Sequence, residues 1–123
     1  MMEKYTEVMR NAVDLSDTIH EALQYINEQL EIGNHSEVLG LLKDTSDAVI
    51  AIENSIIPIL KQFSTEIILK GIDEFKVVLE QMEILYQGNN LTALKEVLSI
   101  KGIPLYIQWR SEMYKAFYPY IVS

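Results

Sequence analysis

The sequence predicts an all-α fold, an up-down-up-down antiparallel four-helix bundle built from two helical hairpins. Apolar residues recur at alternating spacings of three and four along most of the 123 residues, which places them on one face of each helix. A Gly-Asn pair follows such a run twice, at Gly33-Asn34 and Gly88-Asn89. We therefore expect a single domain, residues 1–123, with hairpins at residues 3–63 and 65–118.

The first hairpin consists of two apolar rows that meet at Gly33. Glycine tolerates the left-handed conformation that ends many helices, and Asn34 with Glu37 has the spacing of a capping box for the next helix. The expected core row of the first helix is Tyr5, Val8, Ala12, Leu15, Ile19, Ala22, Ile26 and Leu30. That of the second helix is Val38, Leu42, Thr45, Val49, Ile52, Ile56, Ile59 and Phe63.

The second hairpin begins with a turn between residues 63 and 71. Ser64 or Thr65 can cap the third helix, and Gly71 is the competing boundary. Gly88 ends this helix, and Asn89 or Asn90 caps the fourth. The third core row is Ile68, Ile72, Phe75, Leu79, Met82 and Tyr86, and the fourth is Leu91, Leu94, Leu98, Leu105, Trp109 and Met113.

Prolines lie inside the second and fourth helices, which we expect to be kinked. The second row keeps its phase through Pro58, and this favours one kinked helix over two separate helices. Gly102 and Pro104 predict a kink or a short break in the fourth. The stretch IPILKQF at residues 57–63 is echoed by IPLYIQW at residues 103–109, but the offset is 46 and not 55. Whether the hairpins arose by duplication stays open.

Composition excludes several classes of function. The formal net charge is −8, so the surface repels nucleic acid and anionic membranes. No apolar run approaches the ~20 residues of a membrane-spanning helix, and the N-terminal residues do not resemble a signal peptide. The chain has no Cys, which fits a reducing compartment, and we expect a cytoplasmic protein.

Motifs for catalysis or metal binding are weak. Di-iron bundles use two Glu-x-x-His pairs, whereas this chain offers only Asp17-x-x-His20, and His20 is interpreted as a solvated surface residue. There is no nucleophile elbow and no phosphate-binding loop. The sequence therefore predicts a protein that is not an enzyme and binds no metal or cofactor.

The C-terminal stretch is the feature that indicates binding. Six of the eleven aromatic residues of the chain fall within fifteen positions there, and aromatic residues are enriched in protein interfaces. In the alternative, Tyr106, Trp109 and Met113 pack inside the bundle. Pro119 is expected to end the helix, so that the tail docks on its own core, on a second copy or on a partner. The predicted partner or dimer interface is Tyr106, Trp109, Met113, Phe117, Tyr118, Tyr120 and Ile121.

The sequence YINEQLEIGNHSEVLGLLKDTSDAVIAIE, residues 25–53, resembles the helical hairpin of small flagellar and other export chaperones. The resemblance implies a protein that holds an amphipathic helix of its client. Our first hypothesis is therefore a non-catalytic protein-binding module, as an export-chaperone-like or adaptor protein. The alternative is a structural homodimer without a separate client. A metal- or small-molecule-binding bundle is the third hypothesis.

Overall fold

The computed structural model describes residues 2–61 and 66–122 and confirms the all-α four-helix bundle. α1 contacts α2 and α5, and α3 contacts the same two helices, as in an up-down-up-down bundle. A 3₁₀ turn precedes α1, and a π-helical segment, Leu98–Gly102, joins α4 and α5 into the fourth helix. The helices are α1, Thr6–Glu31; α2, Val38–Leu60; α3, Glu66–Gln87; α4, Leu91–Val97; and α5, Ile103–Ile121.

The two hairpin turns end their helices with the same motif. The residues that correspond in the two turns are one position away from the pairing that the Gly-Asn pattern suggested. Gly33 has φ 79° in the first turn, and its counterpart with positive φ in the second is Asn89, at 56°, not Gly88. In both turns the next N–H donates to the carbonyl five residues back, 2.9 Å from Asn34 to Gln29 and from Asn90 to Leu85. The repeated turn is therefore two Schellman motifs.

Capping differs between the turns. The Asn90 side chain accepts a hydrogen bond from the N–H of Ala93 at 3.2 Å, as expected of a cap for the fourth helix. The predicted capping box of Asn34 and Glu37 is wrong, because α2 begins only at Val38 and has no side-chain cap. Asn34 instead donates to Oε1 of Gln29 at 2.7 Å, which ties the turn back to α1.

The core row of α2 is confirmed from Val38 to Ile59, while that of α1 is shifted round the helix. Ser16 and Leu23 are buried, whereas Leu15 and Ala22 are half-buried. Leu15 instead lines grooves between α1 and α2. α1 carries two adjacent rows of apolar residues. The row that contains Ser16 and Leu23 is the buried one, and it packs towards α5. The buried residues of α1 are Met9, Ala12, Ser16, Ile19, Leu23, Ile26, Gln29 and Leu30.

Two expectations about the middle of the chain are settled by the described residues. α2 continues through Pro58 to Leu60 as one helix, as predicted, and the hydroxyl of Thr45 on its buried face donates to the carbonyl of Leu41 at 2.8 Å. Gly71 lies inside α3, so it is not the boundary. The expectations for Phe63, Ser64 and Thr65 fall outside the described residues.

The fourth helix departs from the prediction through its π-helical segment. The N–H of Ile103 donates to the carbonyl of Leu98, five residues back, and Pro104 follows with no N–H to offer. One extra residue in a turn moves the buried face forward by one position. Tyr106 therefore faces the core where Leu105 was expected, and Leu105 is half-buried.

Candidate functional site

α5 divides the predicted interface residues between the core and the surface. Tyr106, Met113 and Phe117 are 0% exposed and Trp109 is 4% exposed. These four side chains belong to the bundle core and are closed to a partner of the folded protein. Their place in the predicted interface is thus corrected. Trp109 and Met113 are on the core row predicted for the fourth helix, and Phe117 follows Met113 by four residues. The π-helical segment brings Tyr106 onto the same face.

Tyr106 is the centre of the buried aromatic group. Its hydroxyl donates to the backbone carbonyl of Ser16 on α1 at 2.6 Å. Its ring lies 5.0 Å from that of Phe75 and 5.5 Å from that of Trp109, centroid to centroid. The ring of His20 stacks beside it at 6.3 Å, so His20 is half-buried and not the solvated residue that the sequence indicated. This group joins α1, α3 and α5.

Trp109 fixes the distance between α5 and α3. Its indole N–H donates to the carbonyl of Ile68 at 3.0 Å. A Cβ atom added to Gly71 would lie 2.7 Å from Cδ1 of Trp109, closer than non-bonded carbon atoms approach. Gly71 is therefore the residue that lets the indole approach the α3 backbone.

Replacing Tyr106 by phenylalanine should remove part of the alkaline sensitivity of the fold. Burial raises the pKa of Tyr106 above its ordinary value of 10.0. The unfolded chain then loses this proton first, so stability is full below pH 10 and declines as pH rises above it. We expect Tyr106→Phe to lower the free energy of unfolding by about 1 kcal/mol at pH 8, the size of one hydrogen bond. We expect a smaller difference at pH 11.

Urea titrations of both proteins at the two pH values measure this effect. Lys76 also titrates in this range, since its hydrogen bond to Glu53 at 2.8 Å raises its pKa above 10.5. That contribution is common to both proteins and cancels in the comparison. An equal difference between the two proteins at pH 8 and pH 11 would contradict the assignment of the alkaline effect to Tyr106.

The opposite side of α5 carries an exposed apolar row. Ile107, Tyr114 and Tyr118 are 48%, 45% and 44% exposed, and the rings of the two tyrosines contact each other at 5.1 Å. Tyr118 was predicted here, but Ile107 and Tyr114 were not. The spacing of seven residues between Ile107 and Tyr114 was the signal that could have identified them. We call Ile107, Tyr114 and Tyr118 the α5 surface row.

The last turn of α5 stays helical although it contains a proline. α5 runs through Pro119 to Ile121, so the expectation that Pro119 ends the helix was wrong. A proline this close to the C-terminus of a helix leaves few carbonyls without their intrahelical partner. Tyr120 and Ile121, the other predicted interface residues, are half-buried and pack against the core.

Two arginine side chains connect α5 to α1 beside the α5 surface row. Arg110 pairs with Asp17 at 2.7 Å, and Arg10 donates to the carbonyl of Ile121 at 3.2 Å. A shallow depression of about 270 Å³ is lined by Ile107, Arg110, Ser111 and Tyr114. This surface is apolar in the middle and polar on the side that faces α1. Its side chains are suited to contact with another molecule.

α2 and α3 each carry a pair of exposed apolar residues that are seven positions apart, and neither pair includes an aromatic residue. Ile50 and Ile57 on α2 are 44% and 37% exposed. Val77 and Ile84 on α3 are 65% and 60% exposed, and they are seven residues apart. Exposed Glu80 and Gln81 lie between them, and no aromatic side chain extends this pair. Single exposed apolar residues are common on protein surfaces.

The acidic and histidine side chains of the described residues are dispersed. Within residues 2–61 and 66–122, no three His, Asp or Glu side chains come together as a metal-binding group. Asp17 is engaged by Arg110, while His20 lies against Tyr106.

Comparison with known proteins places the chain in a family. A domain of unknown function (DUF8042) matches residues 7–112, from the first turn of α1 into α5. The chain belongs to this family. Ile107 and Arg110 lie within the DUF8042 match, and Tyr114 and Tyr118 follow it. No curated protein and no solved structure matches the chain.

Over the two described ranges, no helix of this DUF8042 chain combines the length and the apolar character needed to cross a lipid bilayer.

Proposed function

We propose that this chain is a non-catalytic protein-binding module that docks a partner on the α5 surface row. The observation that supports the proposal is the row itself, two aromatic and one branched aliphatic side chain within about three turns of α5, each more than 40% exposed. Tyrosine is enriched in interface hot spots because it offers a large contact area at low conformational cost. Arginine is enriched in hot spots as well, and Arg110 lies at the edge of the row.

A binding role also accounts for how rigidly the row is supported. The side chains that alternate with it along α5 are buried, and two of them donate hydrogen bonds to neighbouring helices. A surface held in this way is preformed, which reduces the entropy lost on association. We place the function in the cytoplasm, a reducing compartment with which a chain lacking Cys is compatible.

Site-specific photo-crosslinking in the source cells tests this proposal. Benzoylphenylalanine replaces Tyr114 in one protein and Ile50, which is 44% exposed on α2, in a matched control. We expect one defined heterologous adduct from position 114 and none from position 50. The adduct should disappear when Ile107 and Tyr118 are also changed to serine, while circular dichroism shows an unchanged helical fold.

Each other outcome contradicts the proposal. An adduct of twice the mass of the chain would mean that the row is a homodimer interface, the alternative function. Equal adducts from positions 114 and 50 would show that contact is non-specific. Absence of any adduct at position 114 would remove the support for a partner at this surface. Truncation of the chain is unsuitable as a test, because Phe117 at its C-terminal end is part of the core.

A further inference from the structure

An acidic row runs along the outer side of α1. Glu7, Asp14, Glu21 and Glu28 are spaced by seven residues and are all exposed. Residues at this spacing lie on one line along a bundle helix. No ion pair joins any of the four to another residue in the described parts of the chain, 2–61 and 66–122. We call these four residues the α1 acidic row.

The α1 acidic row lies alongside the α5 surface row. Asp17 is three residues from Asp14 and four from Glu21, so it neighbours both on the helix surface. Asp17 also pairs with Arg110 of α5 at 2.7 Å. With the contact of Arg10 to Ile121, this shows that the two helices are antiparallel. Asp14 is therefore near the level of Tyr114, and Glu21 is near the level of Ile107.

The arginines at this edge form no ion pair with the α1 acidic row in the described residues. Arg110 pairs with Asp17, and Arg10, which lies within about one turn of Glu7 and Asp14, donates to the carbonyl of Ile121. A molecule that covers the α5 surface row thus meets apolar side chains below it and carboxylates outside any ion pair at its side. The surface is a shallow depression lined by Ile107, Arg110, Ser111 and Tyr114 of α5. α1 runs antiparallel beside α5, and a third helix can lie along such a helix.

We propose, resting on the protein-binding function above, that the partner segment is an amphipathic helix with basic residues on the flank that faces α1. Its apolar face covers the α5 surface row, and its Lys or Arg side chains extend over α1 to Asp14 and Glu21. Charge argues against a second copy in this place. Each copy carries a net charge of −8, and a copy that docks through its own α5 brings its own acidic row with it.

Two synthetic helical peptides serve as the probes. Both have the length of α5, 19 residues, and the same leucine face, and their polar positions are all Lys in one and all Glu in the other. Binding of each labelled peptide to the full chain is measured by fluorescence anisotropy. We expect the Lys peptide to bind, the Glu peptide not to bind, and the affinity of the Lys peptide to fall with added salt.

Matched variants locate the binding site. Asp14→Asn with Glu21→Gln removes two charges from the α1 acidic row. Asp47→Asn with Glu80→Gln removes two exposed carboxylates from α2 and α3 and changes the net charge equally. We expect the first pair to weaken binding of the Lys peptide about fivefold, the size expected for two exposed ion pairs, and the second to leave it nearly unchanged.

The outcomes separate this inference from the function on which it rests. If Ile107→Ser with Tyr114→Ser does not weaken binding of the Lys peptide, the α5 surface row is not the docking site and both proposals fail there. If these substitutions abolish binding but the Glu peptide binds equally well, only the basic character of the partner is wrong. Absence of binding by the Lys peptide, or equal weakening by the two charge-matched pairs, overturns the inference as well.

Discussion

Truncation of Trp109 to alanine is expected to lower the free energy of unfolding by about 3–5 kcal/mol, the range for large aromatic side chains in cores. The indole is 4% exposed, and its N–H is bonded to the carbonyl of Ile68 on α3. Its loss leaves a cavity between α3 and α5 that a rigid helix pair cannot close. Urea denaturation followed by circular dichroism measures the change.

The control for this truncation is Ile107→Ala, two positions earlier on the same helix. Ile107 is 48% exposed, so its shortening should change the free energy of unfolding by less than about 0.5 kcal/mol. A loss below about 1 kcal/mol for Trp109→Ala would contradict the core assignment, and so would similar losses for the two variants.

Replacement of Gly71 by alanine is expected to destabilise the protein by about 1–3 kcal/mol, the usual cost of overpacking. The new methyl group would lie 2.7 Å from Cδ1 of Trp109, and the hydrogen bond of the indole prevents it from swinging aside. Gly40→Ala is the matched control, since nothing lies within 4 Å of a Cβ there. In this open helical position, alanine should stabilise the fold by up to about 1 kcal/mol.

A double-mutant cycle shows whether the indole causes the effect of Gly71→Ala. In a Trp109→Ala background the added methyl group meets no ring, so the same substitution should be neutral or stabilising. Thermal unfolding of the four proteins supplies the cycle. If Gly71→Ala is equally harmful with and without the indole, the close approach seen between α3 and α5 is not what requires glycine.

The sequence was sufficient for the helices and for the buried face of α2. There one row of apolar residues and Thr45 keeps its spacing of three and four from Val38 to Ile59, and that unbroken row is the buried one. On α1, Leu15 and Ser16 belong to two adjacent rows. The row that contains Leu15 has more apolar residues, so the sequence predicts that this row is buried. In the structure Ser16 is buried, and its backbone carbonyl accepts a hydrogen bond from the hydroxyl of Tyr106. That contact joins residues ninety positions apart and leaves no trace in local periodicity.

The candidate site was only partly predictable for a similar reason. The aromatic residues near the C-terminus indicated α5, but which side chain enters the core at the start of this helix depends on the π-helical segment before Ile103. A regular helix would place Leu105 inward. One additional residue in the turn puts Tyr106 on the buried face in its place, which periodicity alone does not predict.

Tyrosine nitration of the folded protein, read by peptide mass spectrometry, tests the division of α5 most directly. Tyr114 and Tyr118 are 45% and 44% exposed, whereas Tyr106 is 0% exposed and hydrogen-bonded. We expect rapid modification of Tyr114 and Tyr118, and modification of Tyr106 only after unfolding in urea. Modification of Tyr106 in the folded protein as fast as that of Tyr114 would contradict it.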